Sequence, residues 1–170
     1  MEFDTGIDDF RIRPAVKKDT ALILQFIKAL AEYEHMLELV VTTEEDLRSY
    51  LFTEKKAEVI IGEYLGEPVC YALFFHNFST FSGRSGIFLE DIYVKPEMRG
   101  KGFGTSIFYY LGKLAKESSC SRLEWWVLNW NEPSIRFYQS LGAKPLSDWT
   151  IYRLEGDALG SLANHTEAAG

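Results

Sequence analysis

Little in this chain could hold a metal ion. It carries three histidines, His35, His76 and His165, which are scattered, and two cysteines, Cys70 and Cys120, which form no metal or redox motif. No metal site is expected, and the cysteines read as free thiols of a reducing compartment. No apolar run reaches the roughly 18 residues that span a membrane. The stretch Met1–Asp9 is acidic and polar, unlike a signal peptide, so a cytoplasmic protein without a membrane partner is expected. Cations are outnumbered, with Lys+Arg 18 against Asp+Glu 25 and a net charge of −7. That balance argues against nucleic acid, whose phosphates would be repelled. It suits a cationic substrate steered by an acidic surface, solubility being the plain alternative. Two phosphate-binding templates are missing as well. The dinucleotide fingerprint needs G-x-G-x-x-G and the Walker loop a Gly-Lys-Ser/Thr ending, and neither occurs.

What is present is globular: 46% hydrophobic and 15% aromatic over 170 residues, long enough for one domain with a substantial core. Phe10–Arg13 alternates like a short strand ended by Pro14. Asp19 or Thr20 can cap a helix to about Tyr33, with Leu22, Ile23, Phe26, Ile27 and Leu30 on its apolar face. Thr42 and Glu45 read as a capping box for a shorter helix through Phe52. Ala57–Leu65 and Val69–Phe75 read as a hairpin about Gly66-Glu67, followed by a polar loop over Asn77–Gly86. Ile87–Val94 is a strand, Thr105–Ser118 a helix and Leu123–Leu128 a strand. Glu132–Leu141 is a helix with Pro133 in its first turn, and Pro145–Leu154 a last strand. The order β-α-α-β-β-β-α-β-α-β predicts one α+β (mixed α/β) domain over residues 10–156, with tails at 1–9 and 157–170.

The most informative stretch is Arg99-Gly100-Lys101-Gly102-Phe103-Gly104, which links the strand ending at Val94 to the helix opening at Thr105. Alternating glycines let a backbone turn tightly and approach a ligand. No proline removes a donor between Arg99 and Thr105, Arg99 adds a fixed charge, and the helix start is electropositive. Such a segment can cradle a pyrophosphate; a simple turn is the alternative.

This loop, with Asn131, Tyr138 seven residues on and the turn Leu141-Gly142-Ala143, resembles the GNAT superfamily of acetyl-CoA-dependent N-acetyltransferases. Leu30-Ala31-Glu32-Tyr33-Glu34, Leu89-Glu90-Asp91, Trp130–Ile135 and Phe137-Tyr138 are similar to the diamine (spermidine/spermine and thialysine) acetyltransferases. The resemblance implies a mostly antiparallel sheet splayed after the fourth strand, and acetyl-CoA as co-substrate. Pyrophosphate would lie on Arg99, Gly100, Lys101, Gly102, Phe103, Gly104 and Thr105. The pantetheine arm would pair with Ile92, Tyr93 and Val94, and Asn131, Ser134 and Tyr138 would complete the cofactor site.

An alkyl ammonium titrates near the lysine value of about 10.4, so the acceptor must lose a proton before it attacks. Tyr138 is the candidate general acid for the leaving thiolate, and Glu90 the candidate base through a water. Neighbours on a strand face opposite ways, so only one of Glu90 and Asp91 can face a given site; Asp91 is read as structural or as serving a partner subunit. Tyr33, Glu34, Glu90, Glu124 and Trp126 are the acceptor-side candidates by resemblance. Ser79–Arg84 lacks the acidic wall of the polyamine enzymes and Thr150–Arg153 fits their pattern poorly, which favours a shorter diamine or a lysine-like amino acid. A homodimer is implied. Acetylation of a protein N-terminus or lysine, and a non-catalytic acetyl-CoA sensor, are the alternative readings.

Overall fold

β-Branched and aromatic runs assemble one sheet. In the computed structural model, which describes residues 3–164, five strands lie in sequence order. They are β1 (Phe10–Pro14), β2 (Glu58–Tyr64), β3 (Glu67–Ser79), β4 (Arg84–Val94) and β5 (Leu123–Trp125). The first four pair antiparallel; β5 joins β4 in parallel through Ile87, Phe88 and Leu89. The helices are α1 (Thr20–Tyr33), α2 (Glu44–Leu47) with a π-helical continuation Arg48–Thr53, α3 (Phe103–Glu117), α4 (Glu132–Ser140) and α5 (Gly156–Ala163). The chain divides between Leu128 and Asn129 into two units, the sheet with α1 to α3 in the first and α4 with α5 in the second.

Alternation along the strands gives the sheet two faces. Phe103, Ile107 and Leu111 of α3 are buried on one of them, where Phe103 stacks on Phe10 at 4.2 Å and Phe108 meets Trp125 edge-on at 4.9 Å. On the other, Ile23 and Phe26 of α1 form a buried cluster with Leu47, Leu51, Val59, Tyr71 and Tyr93. Phe26 stacks on Tyr71 at 5.1 Å. Each such large side chain contributes about 1.5–3 kcal/mol by leaving water. The entry to α1 is locked by Arg13, whose guanidinium reaches Asp19 at 2.7 and 3.1 Å and Glu63 at 2.8 Å. The Asp19 carboxylate also accepts from Val16 N–H, and the Arg13 fork holds its carboxyl below the usual range. Asp19 thus serves β1 instead of capping α1.

The mixed α/β architecture agrees with the sequence, and several boundaries move. The capping box is Thr43 with Asp46, one residue later than Thr42 with Glu45: Thr43 Oγ1 accepts from Asp46 N at 3.2 Å while Asp46 accepts Thr43 N–H at 2.9 Å. The β2–β3 turn is Leu65-Gly66, both at positive φ (53° and 83°), as a two-residue hairpin of this twist requires. β3 and β4 keep pairing through Phe78–Ser85 and Ser79–Arg84, so the expected polar loop shrinks to residues 80–83. The last strand, Pro145–Leu154, does not form among the described residues. Leu146, Trp149, Ile151, Tyr152 and Leu154 are exposed, and among the described residues their unit holds no strand to share a ladder. Residues 156–163 are helical instead of a loose tail. Residues 3–9 are also tied down: Phe3 bridges to Ile12, its ring lies 5.3 Å from Tyr110, and Thr5 Oγ1 donates to Phe10 O at 2.9 Å. The remainder of both expected tails, with His165, lies outside the described residues.

Candidate active site

The glycine segment is a cradle made of backbone. After β4 a 3-10 turn, Pro96–Met98, leads into Arg99. Gly100 and Gly102 then take φ of 78° and 85°, left-handed geometry that L side chains resist. Gly102 is the N-cap of α3 and offers no side chain to the helix end. The first α3 ladder bond runs from Ser106 N to Gly102 O at 3.0 Å, so the N–H groups of Phe103, Gly104 and Thr105 have no acceptor within the helix. Three convergent donors on a helix dipole fit an anion such as a pyrophosphate. The Phe103 ring, between Phe10 and Tyr64, anchors the cradle to the core. Both cations of the segment turn to aromatic rings. Arg99 lies 4.7 Å from the centroid of Tyr33 and 5.9 Å from that of Tyr93, with Nε donating to Val94 O at 3.1 Å, and Lys101 Nζ lies 5.3 Å from that of Tyr64.

Just before the cradle, β4 is bulged. The register steps from Leu73–Asp91 to Phe74–Leu89, so Glu90 is the inserted residue. A bulge bends its strand and re-aims the side chains beside it. Here it coincides with the splay: β5 pairs with β4 no further than Leu89, while Ile92, Tyr93 and Val94 continue their ladder with Ala72, Tyr71 and Cys70. Among the described residues no strand pairs with Ile92–Val94 on the β5 side.

The bulge decides which carboxylate faces inward. Glu90 is exposed. Asp91 shares its face with Tyr71, Leu73 and Tyr93, and the Tyr71 hydroxyl donates to Asp91 Oδ2 at 2.7 Å. Burial pushes the Asp91 carboxyl above its usual range, and the phenol partly opposes this. Glu34, the C-cap of α1, is raised by burial and then by the Asp91 charge. Tyr71, fully buried, is pushed far above a normal phenol, first by burial and then by Asp91, and stays a donor. Perturbed titratable groups gathered in this way mark functional sites. Alternation left Glu90 and Asp91 equivalent, since counting back by two from the apolar Ile92 or Tyr93 reaches either, and no signal announced the bulge or Tyr71.

The same face carries other candidates. Phe75 on β3, Phe88 on β4 and Glu124 on β5 follow from the register, and Trp126 packs edge-on against Phe88 at 5.2 Å. Trp126 is 55% exposed. The Glu124 carboxylate is engaged by Arg122 at 2.9 Å and by Asn77 at 3.2 Å. The sheet thus brings Glu34, Glu124 and Trp126 to one face with Asp91, and leaves Glu90 at the bulge.

In the second unit Asn131 is the buried N-cap of α4, its Oδ1 accepting from Ser134 N at 3.3 Å. Tyr138 stands on the same helix with its ring 5.5 Å from that of Phe137. Gly142 at φ 85° ends the helix, and Ala143 N returns to Tyr138 O at 3.2 Å. So Asn131, Ser134 and Tyr138 share one helix start and body, as their spacing predicts. Among the described residues no group of three His, Cys, Asp or Glu could hold a metal ion, and no helix is long and apolar enough to cross a membrane.

Known proteins resemble this chain. The model of the acetyltransferase (GNAT) family matches residues 23–143, a span that includes the bulge, the cradle and α4. The thialysine N-epsilon-acetyltransferase of Bos taurus is 40% identical over 164 residues, covering 89% of this chain and 96% of its own. The L-ornithine N5-acetyltransferase NATA1 of Arabidopsis thaliana is 27% identical, covering 89% of this chain and 87% of its own. Among solved structures, an integron cassette protein from the mobile metagenome of V. cholerae superposes with a TM-score of 0.77 at 24% identity, over 91% of this chain and 98% of that one, a likeness of fold. The chain belongs to the GNAT acetyltransferase family, whose members use acetyl-CoA as co-substrate. Within it, the protein is an N-acetyltransferase.

Proposed function

We propose that this enzyme moves the acetyl group of acetyl-CoA to the primary amine of a small cationic acceptor, such as the side-chain amine of a lysine-like amino acid or a diamine. One observation carries the reading: the bulge at Glu90 sets the half-buried Asp91 beside Glu34 on one sheet face, next to the strand edge that opens beyond Leu89. Two carboxylates pushed up by burial suit an ammonium group, whose charge would relieve both. The names of the thialysine and ornithine enzymes point the same way.

In this reading the amides of Phe103, Gly104 and Thr105, with Gly100 and Lys101, hold the pyrophosphate. The Ile92–Val94 backbone receives the pantetheine arm as an added strand, and Asn131 and Ser134 contribute from α4. Acetyl-CoA supplies an activated thioester. A backbone N–H at the splay donates to the developing oxyanion, a contact worth roughly 3 kcal/mol in related chemistry. Glu90, exposed at the bulge, takes the amine proton through a water. Asp91 and Glu34 hold the cation, with Tyr33 and Trp126 beside it. Tyr138 protonates the leaving thiolate, for which a phenol is well matched. The domain spans residues 10–156 and works as a cytoplasmic homodimer.

The test is thiol release from acetyl-CoA with thialysine, ornithine, lysine, putrescine, spermidine and a lysine peptide as acceptors. Turnover on the amino acids or the diamine is expected; silence on every small amine sinks the reading. Tyr138→Phe is expected to keep coenzyme A binding and to lower kcat by about a hundredfold or more, the usual size of general acid catalysis.

A further inference from the structure

The sheet face that carries Asp91 holds a second charged cluster at its far end. Arg122 stands just before β5, and its stem lies over Gly86 of β4. A Cβ at Gly86 would come within 2.7 Å of Arg122 Cγ, 3.0 Å of its Nε and 2.6 Å of Asn77 Oδ1, so only glycine leaves room for this arginine. Arg122 Nε lies 2.9 Å from Glu124 Oε2, the oxygen to which Asn77 Nδ2 donates at 3.2 Å. The Nε–H is not aligned with that oxygen, so the contact is one of charge; Nε and Asn77 Oδ1 are buried without a hydrogen bond. Among the described residues nothing accepts a hydrogen bond from the guanidinium. A cation whose donors are left unmade is costly in a native state and marks a place built for more than packing.

Between this cluster and Asp91 the face is aromatic. The rings of Phe75 and Phe88 lie 5.2 Å apart, and Trp126 meets Phe88 edge-on at 5.2 Å. Phe88 pairs with Phe75 on one side and Glu124 on the other, while Asp91 pairs with Leu73. Two residues along β3 and one strand spacing therefore separate Glu124 from Asp91, roughly 8 Å between their Cα atoms. The order along the face is an arginine–glutamate pair, an aromatic strip, and then the carboxylates of Asp91 and Glu34. An α-amino acid with a terminal side-chain amine has the complementary order: a carboxylate and an ammonium at one end, methylenes, and an ammonium at the other. Its α-carbon and terminal nitrogen lie about 6 Å apart in a lysine-like chain, from ordinary bond lengths. A diamine fits the strip equally well, but its second ammonium meets the Arg122 guanidinium, a like charge that selects against it.

We propose that Arg122 determines the specificity of the acceptor site: its guanidinium takes the α-carboxylate of the substrate and Glu124 the α-ammonium, so the enzyme selects α-amino acids with a terminal side-chain amine over diamines. The Nη edge of a guanidinium presents two parallel N–H groups that match a carboxylate. Asn77 holds Glu124 in place, and Gly86 keeps the space in which the Arg122 stem lies. The inference rests on the acceptor reading above, in which Asp91 and Glu34 hold the reacting amine, and it adds what the far end of the substrate carries.

The test sets kcat/KM for lysine against cadaverine, and for ornithine against putrescine, by thiol release from acetyl-CoA with the full chain. Each diamine is its amino acid without the carboxylate. The parent is expected to favour each amino acid by about tenfold to a hundredfold, the size of a hydrogen-bonded charge pair. Lysine methyl ester keeps both amines and loses the carboxylate charge, so it should fall with the diamines. Arg122→Gln should lower kcat/KM for lysine by about tenfold or more and raise it for cadaverine, so that the preference collapses. Arg122→Lys keeps the charge without the fork and should fall between. A parent that takes cadaverine as well as lysine overturns the proposal. So does an Arg122→Gln enzyme whose lysine-to-cadaverine ratio stays within about threefold of the parent's, because a residue that only supports β5 lowers both substrates alike. If the parent acetylates no small amine, the acceptor reading fails by itself. Calorimetry of lysine on the coenzyme A-loaded protein then decides for Arg122: binding that Arg122→Gln abolishes supports the carboxylate site, and no binding, or binding equal in both proteins, sinks it.

Discussion

The cradle at the start of α3 and the acidic face of β3 and β4 are neighbours along β4, yet they are built in opposite ways. The cradle is local and made of backbone. Gly100 and Gly102 take conformations closed to other residues, and the exposed donors belong to Phe103, Gly104 and Thr105. Those donors are amides, which do not titrate, so their hold on an anion should be nearly flat with pH. The acidic face is gathered from far apart: Glu34 from the end of α1, Tyr71 from β3 and Asp91 from β4. Its groups are titratable, and burial shifts every one of them. The difference is between geometry stored in φ angles and charge held under desolvation. The first should fail through strain and the second through protonation.

The largest effect is expected from breaking the cradle. Gly102→Val places a β-branched residue at φ 85°, with its Cβ about the 3.2 Å from Ile7 Cδ1 found for any side chain there. Ile7 is flexible and can give way; the backbone cannot, and a non-glycine residue in this region costs about 1–3 kcal/mol. The chain should relax by withdrawing the donors at Phe103 and Gly104. Coenzyme A affinity should fall tenfold or more, and amine turnover with it, while Gly102→Ala loses less. Calorimetry showing undiminished coenzyme A binding in Gly102→Val would remove the cradle from the cofactor site.

The same contrast explains what could be read from the sequence. The cradle was visible because its determinants sit within six consecutive residues, Arg99–Gly104. The core face of α1 was visible because Ile23 and Phe26 recur at helical spacing, and both are buried. The hairpin at Gly66 and the start of α4, with Pro133 in its first turn, are equally local. The acidic face was only half visible. Alternation put Glu90 and Asp91 on opposite sides but did not say which faced in, because the bulge arises from pairing between β3 and β4 and leaves no mark on either strand alone. Glu124 stands on the expected face, and what the sequence did not show is that its carboxylate is shared with Arg122, two residues away, and with Asn77 across the sheet. Pro145–Leu154 misled because its composition suits a strand while no strand forms among the described residues of its unit. What decided the acidic face, the pairing of β3 with β4 and the reach of Asn77 to Glu124, is distant in sequence.

Asp91→Asn sharpens the comparison from the other side. It should leave coenzyme A affinity unchanged and lower kcat/KM for the amine by about tenfold to a hundredfold, the size of a charge-assisted hydrogen bond. It should also stabilise the fold. The Asp91 carboxyl is raised by burial, so its ionised form burdens the native state above the folded pKa, and the burden is gone below the unfolded value near 4. The amide keeps the shape and can still accept from Tyr71. The variant should therefore melt above the parent at pH 8, with the gap closing as pH falls toward 4. A variant less stable than the parent at pH 8 would mean that the native state gains from the charge, and the acidic face would no longer be the costly partner of the cradle.

The smallest effect should come from Tyr71→Phe, and it is the most specific. The ring stays stacked on Phe26, so only the hydroxyl donating to Asp91 is lost. That bond is what opposes burial at Asp91; without it the carboxyl rises further. Glu34 and Glu90, the other acids that act on Tyr71, both remain and still disfavour a second charge nearby. A higher Asp91 pKa leaves less carboxylate at a given pH, so the acidic limb of kcat/KM should move to higher pH. On the acidic limb the loss should be about two- to fivefold, one ordinary hydrogen bond, and it should shrink as pH rises and Asp91 ionises again. Tyr71 does not itself titrate in this window, because its own pKa lies well above a normal phenol. Coenzyme A affinity should not move at any pH. An acidic limb that stays in place, or moves to lower pH, would separate Asp91 from the rate and return the amine to Glu90 alone.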